Sequence, residues 1–306
     1  MSLKGTSRNI IVAGGSGRLG SYIVSGLLAK GIHNISAISR VGSTAQFPSG
    51  VTIHRGLYTD ETFLNTVLQK QDVLIVCLAK ATLDFQLLLI RAAAKAGVPY
   101  VLPSEYGVDS SSKEVIKHLP VIKRKVEARE LIEELGVSSW IAVASNPLIS
   151  FHVRNLRLGI DVKNRTATIW DNGTRKRPLT TLEMLGKSVA GLLSLPEEEL
   201  ATNKNQHVYI SSFYVSQRDI LASVIRATGT KEKDWTIENV KLDDFLAEKR
   251  AEFDRGNLPI IEKMILLVAF KDGLNDFQSV VNYKRLGVDP ESLDDFIKQE
   301  VRDYHL

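Results

Sequence analysis

The chain has 306 residues, of which 44% are hydrophobic and 24% are charged, a composition typical of a globular protein of one or two domains. The 39 basic side chains exceed the 35 acidic ones by only 4, too small an excess to indicate a nucleic-acid-binding protein. A single cysteine excludes an internal disulfide, and neither an apolar signal core nor an 18-residue apolar run occurs, so we predict a cytoplasmic protein without a membrane span.

The first predicted elements are a strand, a glycine turn and a helix. An apolar run over 10–13 leads into the glycine-rich segment 14–20, and apolar residues then recur at the i, i+4 spacing of a helix. In such a unit one glycine permits the tight turn, a second lets the backbone approach a pyrophosphate, and a third lets the helix pack close to the sheet. Two registers of this pattern fit, with the turn glycine at 14 or at 15, and both predict a dinucleotide site. The predicted cofactor contacts are Gly14, Gly15, Ser16, Gly17, Arg18, Leu19 and Gly20.

The end of the second predicted strand indicates which dinucleotide is bound. This strand covers 35–38, and Arg40 follows at the position where NAD sites usually carry Asp or Glu for the ribose 2′-hydroxyl. A guanidinium matches a 2′-phosphate through two parallel hydrogen bonds, so we predict NADP(H) as the cofactor. Arg18 is a second candidate for the same phosphate, and a solvated surface role is the alternative for Arg40.

Strands and helices alternate through the rest of the first half. The patterns predict helices over 61–70, 83–96 and 121–135 and strands over 51–54, 72–78, 98–102 and 139–144. This alternation predicts an α/β fold of the NAD(P)-binding Rossmann type, a doubly wound parallel sheet with helices on both faces. We predict an NADP(H)-binding domain over 1–150 and a smaller C-terminal substrate lobe over 151–306, with some segments of the lobe returning to the sheet.

Ligands of such sheets bind at the carboxyl ends of the strands, which places several loops on one rim. Besides the glycine turn and Arg40, this rim carries 79–80, 103–107 and 145–151. The further predicted cofactor contacts are Ala79, Lys80, Ser104 and Asn146, and the predicted substrate contacts are Pro147, Ser150, Phe151 and His152. We predict no metal site.

A hydride-transfer site needs an acid or base beside the nicotinamide. Many reductases with this N-terminal unit use a tyrosine that is followed four residues later by a lysine. None of the eight tyrosines has a lysine at that spacing, so the chemistry of this chain depends on another group.

Several segments of the chain resemble one known group of reductases. The motifs of the isoflavone reductase / phenylcoumaran benzylic ether reductase group are similar to those at Gly14–Gly20, Arg40, Leu102–Gly107, Lys125–Arg129 and Asn146. This group belongs to the NmrA-like, atypical short-chain dehydrogenases. The resemblance covers roughly 8–230 and implies a Rossmann-type reductase that uses NADPH.

The resemblance also implies an active-site lysine in the helix that follows the Pro-Ser-Glu-aromatic-Gly segment. Lys125 matches this lysine, which in the family reaches the nicotinamide ribose and the reacting centre. Lys123 is the neighbouring alternative, but the two residues point about 200° apart on one helix, so they cannot share the role. Without the resemblance, Lys125 would be interpreted as a surface lysine in a basic run.

Two positions depart from the family pattern. Leu57 follows Gly56 where the family often has an aspartate at the end of the third strand, so the contact of that acid with adenine is not expected. Tyr106 stands where the plant reductases have phenylalanine, and its phenol is predicted either to donate a proton or to pack beside the nicotinamide. We therefore predict Lys125 and Tyr106 as the catalytic residues.

Three hypotheses for the function follow. The leading one is an NADPH-dependent reductase of a small conjugated or aromatic-linked molecule, with Lys125 as proton donor or stabilising cation. The second is a non-catalytic NADP(H) sensor of the NmrA-like type, with the basic segment 154–177 as its surface for a protein partner. The third is a biosynthetic enzyme that uses the same pocket for isomerisation or cyclisation. For the first and third hypotheses we expect a small molecule as the binding partner. We expect the protein to be a monomer or a homodimer.

Overall fold

A parallel sheet of seven strands forms the centre of the computed structural model, which describes residues 5–78, 84–154 and 157–304. The strands are β1 (Asn9–Ala13), β2 (Asn34–Ser39), β3 (Val51–Arg55), β4 (Val73–Val76), β5 (Tyr100–Leu102), β6 (Ser139–Ala144), β7 (Ile160–Asp161), β8 (Thr166–Trp170), β9 (Arg177–Leu179), β10 (Gln206–Tyr209), β11 (Phe213–Val215) and β12 (Thr236–Val240). The α-helices are α1 (Gly20–Lys30), α2 (Glu61–Leu68), α3 (Phe85–Lys95), α4 (Lys113–His118), α5 (Lys123–Leu135), α6 (Ile149–Arg154), α7 (Leu182–Leu193), α8 (Glu197–Ala201), α9 (Gln217–Thr228), α10 (Leu242–Asp254), α11 (Ile261–Phe270), α12 (Tyr283–Leu286) and α13 (Leu293–Tyr304). The strand order in the central sheet is β10-β6-β5-β4-β1-β2-β3, which confirms the predicted α/β Rossmann-type sheet.

The side chains of β1 alternate between the two faces of the sheet, as in a strand that is buried on both sides. Ile10 and Val12 pack with α1 and α7 in one hydrophobic core, and Ile11 and Ala13 pack with α2, α3 and α5 in another. All four side chains are fully buried. Both faces are therefore covered up to the carboxyl end of the strand, where the glycine turn begins.

Two elements from the second half of the chain belong to this central layer. Strand β10 pairs in parallel with β6, with Gln206 opposite Ile141, and becomes the seventh strand. Helix α7 crosses α1 with the two backbones in contact, because a Cβ at Gly26 would lie 2.3 Å from the carbonyl oxygen of Gly186. The division of the chain at residue 150 remains a prediction.

The C-terminal lobe is built on a second, smaller sheet. Its strand order is β12-β8-β7, with β12 parallel and β7 antiparallel to β8. The lobe has a hydrophobic core of its own, in which the rings of Trp170 and Phe270 meet edge to face at 5.5 Å. Within the described ranges, no helix combines the length and the apolar character needed to cross a membrane.

Local sequence signals set several helix ends close to the predicted positions. The Asp60 side chain accepts the N–H of Phe63 at 2.9 Å and caps α2, and Gly136 ends α5 in a left-handed conformation with φ +66°. Helix α5 begins at Lys123 and not at residue 121, because Pro120–Ile122 forms a separate 3₁₀ turn.

The contact between α1 and α7 gives a test of the packing. Gly26→Ala is expected to destabilise the protein by about 1–3 kcal/mol, because the added Cβ would force the two helices apart. Alanine normally favours a helix more than glycine does, so helix propensity cannot explain a loss of stability in this variant. Urea unfolding measures the change, and Ser25→Ala at the exposed neighbouring position should stay within about 0.5 kcal/mol of the parent. A Gly26→Ala protein as stable as the parent would contradict the close crossing.

Lys263 of α11 is a half-buried cation in the C-terminal lobe. Its Nζ donates to the carbonyl oxygen of Arg157 at 2.6 Å and lies 5.2 Å from the centre of the Trp170 ring. Burial, and then the positive charges of Lys249 and Arg157, lowers the pKa of Lys263 from 10.5 to about 8.

This lowered pKa predicts a stability that rises with pH. Between about 8 and 10.5 the unfolded chain keeps the Lys263 proton and the folded chain has released it, so raising the pH favours folding. The contribution reaches about 3 kcal/mol at its full extent. Lys263→Met is expected to lose this rise, which unfolding in urea at several pH values in this window would measure. The same pH dependence in both proteins would show that the pKa is not lowered.

Candidate active site

The glycine turn between β1 and α1 is closed by tight backbone contacts. Gly14 has φ +81°, a left-handed conformation that favours glycine, and its carbonyl accepts the N–H of Gly17 at 3.0 Å. A Cβ at Gly14 would lie 2.4 Å from the carbonyl oxygen of Cys77, and one at Gly20 would lie 2.3 Å from that of Gly14. Glycine is therefore needed at both ends of the turn, because the backbone of the turn lies so close to the start of the helix and to the end of β4.

The outer side of the same turn has room for an anion. A Cβ at Gly17 would meet only the Gly14 carbonyl oxygen, at 3.2 Å, and Ser16, Gly17 and Arg18 are exposed. No side chain of the described residues caps the start of α1, where the helix dipole favours negative charge. Gly15 instead faces the core, where a Cβ would contact the side chains of its neighbours at 3.2–3.3 Å. These features fit a pyrophosphate at the outer side of the turn.

Arg40 lies directly after β2, at the same edge of the sheet as the glycine turn. Its side chain is exposed, whereas Ser39 before it is buried. The carbonyl of Arg40 accepts the N–H of Ser43 at 3.1 Å and closes a short turn there. The structure thus places Arg40 beside the strand that leads into the glycine turn, because β1 and β2 are neighbours in the sheet. Ala79 and Lys80, the predicted contacts after β4, lie outside the described residues.

The loop after β5 surrounds a buried carboxylate. Glu105 is 1% exposed, forms an ion pair with Arg129 of α5 and accepts a hydrogen bond from Ser110 Oγ at 2.6 Å. Arg129 donates to the same hydroxyl at 2.8 Å and lies 5.2 Å from the centre of the Trp140 ring. Ser104, before the glutamate, donates its N–H to a glutamine side chain of α3 at 2.7 Å. The loop is therefore fixed from both sides, and the buried charge of Glu105 is compensated.

Lys125, the predicted active-site lysine, is anchored to the same glutamate. Its Nζ donates to the backbone carbonyl oxygen of Glu105 at 2.9 Å and lies 3.9 Å from the carboxylate. The Lys125 side chain is 18% exposed, and a Cβ at Gly107 would lie 3.7 Å from Nζ. Lys123 is exposed to solvent, as the opposite directions of the two side chains predict. The ammonium therefore lies against the loop backbone on the rim where β5 ends.

Tyr106 is the second predicted catalytic residue, and its phenol is buried beside the thiol of Cys77. Burial raises the pKa of Tyr106 well above its usual value of 10.0 and raises the pKa of the Cys77 thiol to about 12. A phenol with a raised pKa is a weak proton donor. Of the two predicted roles of Tyr106, this geometry favours packing.

Asn146 joins the end of β6 to the C-terminal lobe. Its backbone has φ +53°, and its Nδ2 donates to the carbonyl oxygens of Pro178 at 3.0 Å and Asn275 at 2.8 Å. Its backbone N–H donates to the carbonyl of Gly107 at 2.8 Å. The NH₂ group of this buried side chain thus holds the lobe to the rim, and a contact of Asn146 with the cofactor remains a prediction.

Phe151 is the most accessible of the four predicted substrate contacts. Pro147, Ser150 and His152 are buried. The guanidinium of Arg18 lies 5.1 Å from the centre of the half-buried Phe151 ring, in a cation–π contact. The structure thus brings a residue of the predicted phosphate turn and a residue of the predicted substrate pocket together.

Strand β10 adds a histidine to the cluster around the buried carboxylate. His207 Nε2 lies 3.2 Å from Ser110 Oγ, and the ring packs edge to face on Trp140 at 5.4 Å. Burial, and then the charge of Arg129, lowers the pKa of His207, so the ring is neutral near pH 7. Sequence reasoning assigned no role to this histidine, to Arg129 or to Glu105. Glu105 and Arg129 lie in segments on which the family resemblance rests. Their location in these segments is the signal that could have identified them.

The chain is similar to known proteins in sequence and in fold. The model of the NmrA-like family matches residues 6–242. The oxidoreductase aprR of Aspergillus flavus is 30% identical over 241 residues, which cover 77% of this chain and 78% of that protein. The isoflavone reductase of Medicago sativa is 22% identical over 264 residues, which cover 78% of this chain and 82% of that enzyme. A solved structure described as AtPrR2 with NADP+ and (+)pinoresinol has the same fold, with a TM-score of 0.77, 20% identity and coverage of 97% of this chain and 100% of that one.

The buried ion pair gives a test of how the site is held. Glu105→Gln is expected to lower the free energy of unfolding by about 3–5 kcal/mol, because Arg129 keeps a buried charge without its counter-ion. Unfolding in urea near neutral pH measures the change. Glu130→Gln is the matched control, since Glu130 is exposed beside Arg129 on α5 and should change stability by less than about 0.5 kcal/mol. Equal stability of the two variants would mean that the pair does not hold the loop.

Proposed function

This chain belongs to the NmrA-like family, and from that premise we propose that it is an NADPH-dependent reductase of a small conjugated or aromatic-linked molecule. The observation that carries the proposal is the position of Lys125. Its Nζ is held 2.9 Å from the Glu105 carbonyl oxygen, on the rim that also carries the open glycine turn. The oxidoreductase and isoflavone reductase names of the relatives support reductase chemistry.

The residues on the rim fit NADPH. The positive end of the α1 dipole and the open side of Gly17 would hold the diphosphate. The exposed guanidinium of Arg40 would hold the 2′-phosphate. The structural neighbour described with NADP+ supports the same choice of cofactor. When bound, NADPH supplies the hydride.

Lys125 supplies positive charge and hydrogen-bond donors at the reacting centre. An ammonium group has three donors, of which the Glu105 carbonyl accepts one. In the proposed complex this ammonium contacts the nicotinamide ribose and an oxygen of the substrate on which negative charge develops. The nearby carboxylate and the Gly107 backbone restrict the side chain, so the charge is in place before the substrate binds. Lys125 therefore acts as proton donor or as stabilising cation.

Phe151 is the proposed contact for an aromatic or conjugated substrate. Its ring is half-buried on α6, the helix that follows β6, and is already paired with the Arg18 guanidinium. A flat ligand gains from stacking on such a ring and from contact with the cation beside it.

The single cysteine of these 306 residues fits a reducing compartment, and we place the reaction in the cytoplasm.

Part of the basic segment 154–177, which the sensor hypothesis assigns to a protein partner, is engaged within the C-terminal lobe. Arg157 forms an ion pair with Glu262 of α11. Arg177 is 4% exposed and donates from Nε to the carbonyl oxygen of Ala269 at 3.0 Å. These two cations stabilise the lobe itself, whereas Lys163, Arg165 and Lys176 of the same segment are exposed.

Lys125→Met tests the proposal. The variant is expected to lose at least about 100-fold in turnover, because no cation stabilises the developing charge. Its dissociation constant for NADPH should change by less than about tenfold, since the phosphate contacts are unchanged. Turnover is followed as NADPH oxidation with a panel of quinones, enones and imines, and affinity by fluorescence titration. Lys123→Met, two positions away on the exposed side of α5, should behave as the parent does.

The alternatives give different results in the same assays. A sensor would bind NADPH and oxidise it with no member of the panel. An isomerase or cyclase would form product without consuming NADPH. Equal turnover by Lys125→Met and by the parent would contradict the role of Lys125.

A further inference from the structure

A second arginine lies beside Arg40 at the edge of the central sheet. Arg55 is the last residue of β3 and pairs in register with Ser39, the last residue of β2. Its Nη1 donates to the carbonyl oxygen of Ser43 at 2.8 Å and lies 3.4 Å from Ser39 Oγ. The Arg55 guanidinium therefore rests on the turn that begins at Arg40.

The Arg40 and Arg55 side chains lie at neighbouring strand ends on this edge of the sheet. Both side chains are exposed, and in the described part of the chain neither forms an ion pair with a carboxylate. The acidic residues that follow β3 are engaged elsewhere, since Asp60 caps α2 and Glu61 pairs with Lys95. Like charges at neighbouring strand ends repel each other, so an anion that contacts both of them is favourable.

We propose that Arg55 is a second ligand of the 2′-phosphate of NADPH and acts with Arg40 to select NADPH over NADH; this inference rests on the proposed function. A guanidinium has five N–H donors, so the contact with the Ser43 carbonyl leaves others for phosphate oxygens. A phosphomonoester carries nearly two negative charges near pH 7, and NADH presents only a hydroxyl at the same place. Two guanidinium groups match the charge of the phosphate, and a hydroxyl gains little from them.

Arg55 also supports the turn through Ser43, and two substitutions separate this support from the effect of charge. Arg55→Lys keeps the positive charge but loses the planar group that reaches the Ser43 carbonyl. Arg55→Gln keeps a neutral N–H donor and removes the charge. A ligand of the phosphate depends on the charge, so the glutamine variant should lose selectivity and the lysine variant should keep most of it.

The experiment is a fluorescence titration of the full chain with NADPH and with NADH, which differ only in the 2′-phosphate. We expect Arg55→Gln to weaken NADPH binding by about tenfold and NADH binding by less than about twofold. For Arg55→Lys we expect both dissociation constants to stay within about threefold of the parent. Arg91→Gln is the matched control, because Arg91 is an exposed cation on α3, and both of its dissociation constants should equal those of the parent.

The outcomes distinguish this inference from the proposed function. If the parent prefers NADPH and Arg55→Gln keeps the same preference, Arg55 is not a ligand of the phosphate. Equal weakening of both dinucleotides, or equal losses in the lysine and glutamine variants, would assign Arg55 to the support of the turn and overturn its role in selection. A parent that binds neither dinucleotide, or binds both equally, would overturn the proposed cofactor and this inference with it.

Discussion

The ion pair between Glu105 and Arg129 is the constraint on which the candidate site depends. The carboxylate is 1% exposed, and it is tolerated there because the guanidinium and the Ser110 hydroxyl compensate its charge. With that side chain fixed, the backbone carbonyl of Glu105 is fixed too, and it holds Lys125 Nζ at 2.9 Å. Lys125 and Arg129 lie one turn apart on α5, so both reach the same loop. A buried charge therefore positions a lysine whose own side chain is flexible.

The loop after β5, whose Glu105 carbonyl holds Lys125, is also packed against the phosphate turn. The hydroxyl of Tyr106 in this loop is buried beside Cys77, and the carbonyl oxygen of Cys77 lies 2.4 Å from where a Cβ at Gly14 would be. On its other side, the Gly107 carbonyl accepts the N–H of Asn146 at 2.8 Å. The ends of β1, β4, β5 and β6 are thus in contact along one rim. Such contacts keep a dinucleotide-binding turn and a reacting group in a fixed relation, which hydride transfer requires.

The parts of the site that depend on local pattern could be predicted from the sequence. The turn over Gly14–Gly20 needs only its own glycines and the flanking apolar residues. The choice of Lys125 follows from its match to the family motif, and the rotation of about 100° per residue along one helix excludes only a role shared with Lys123. The partners Glu105 and Arg129 are 24 residues apart, and only the packing of α5 on the sheet brings them together. Arg55 meets the turn after β2 only once β2 and β3 have paired. Spacing within one element carries no information on such contacts, although the sequence does place Arg55 directly after the third predicted strand.

The central claim is that Lys125 is the cation beside the reacting centre of an NADPH-dependent reductase. A crystal structure of the complex with NADPH measures this most directly, through the distance from Lys125 Nζ to the hydroxyls of the nicotinamide ribose. We predict a hydrogen bond of about 2.7–3.2 Å to that ribose, with the bond to the Glu105 carbonyl retained. A nitrogen more than about 6 Å from both the ribose and the nicotinamide ring would contradict the assignment, because neither a proton nor a stabilising charge could then act at the site of hydride transfer.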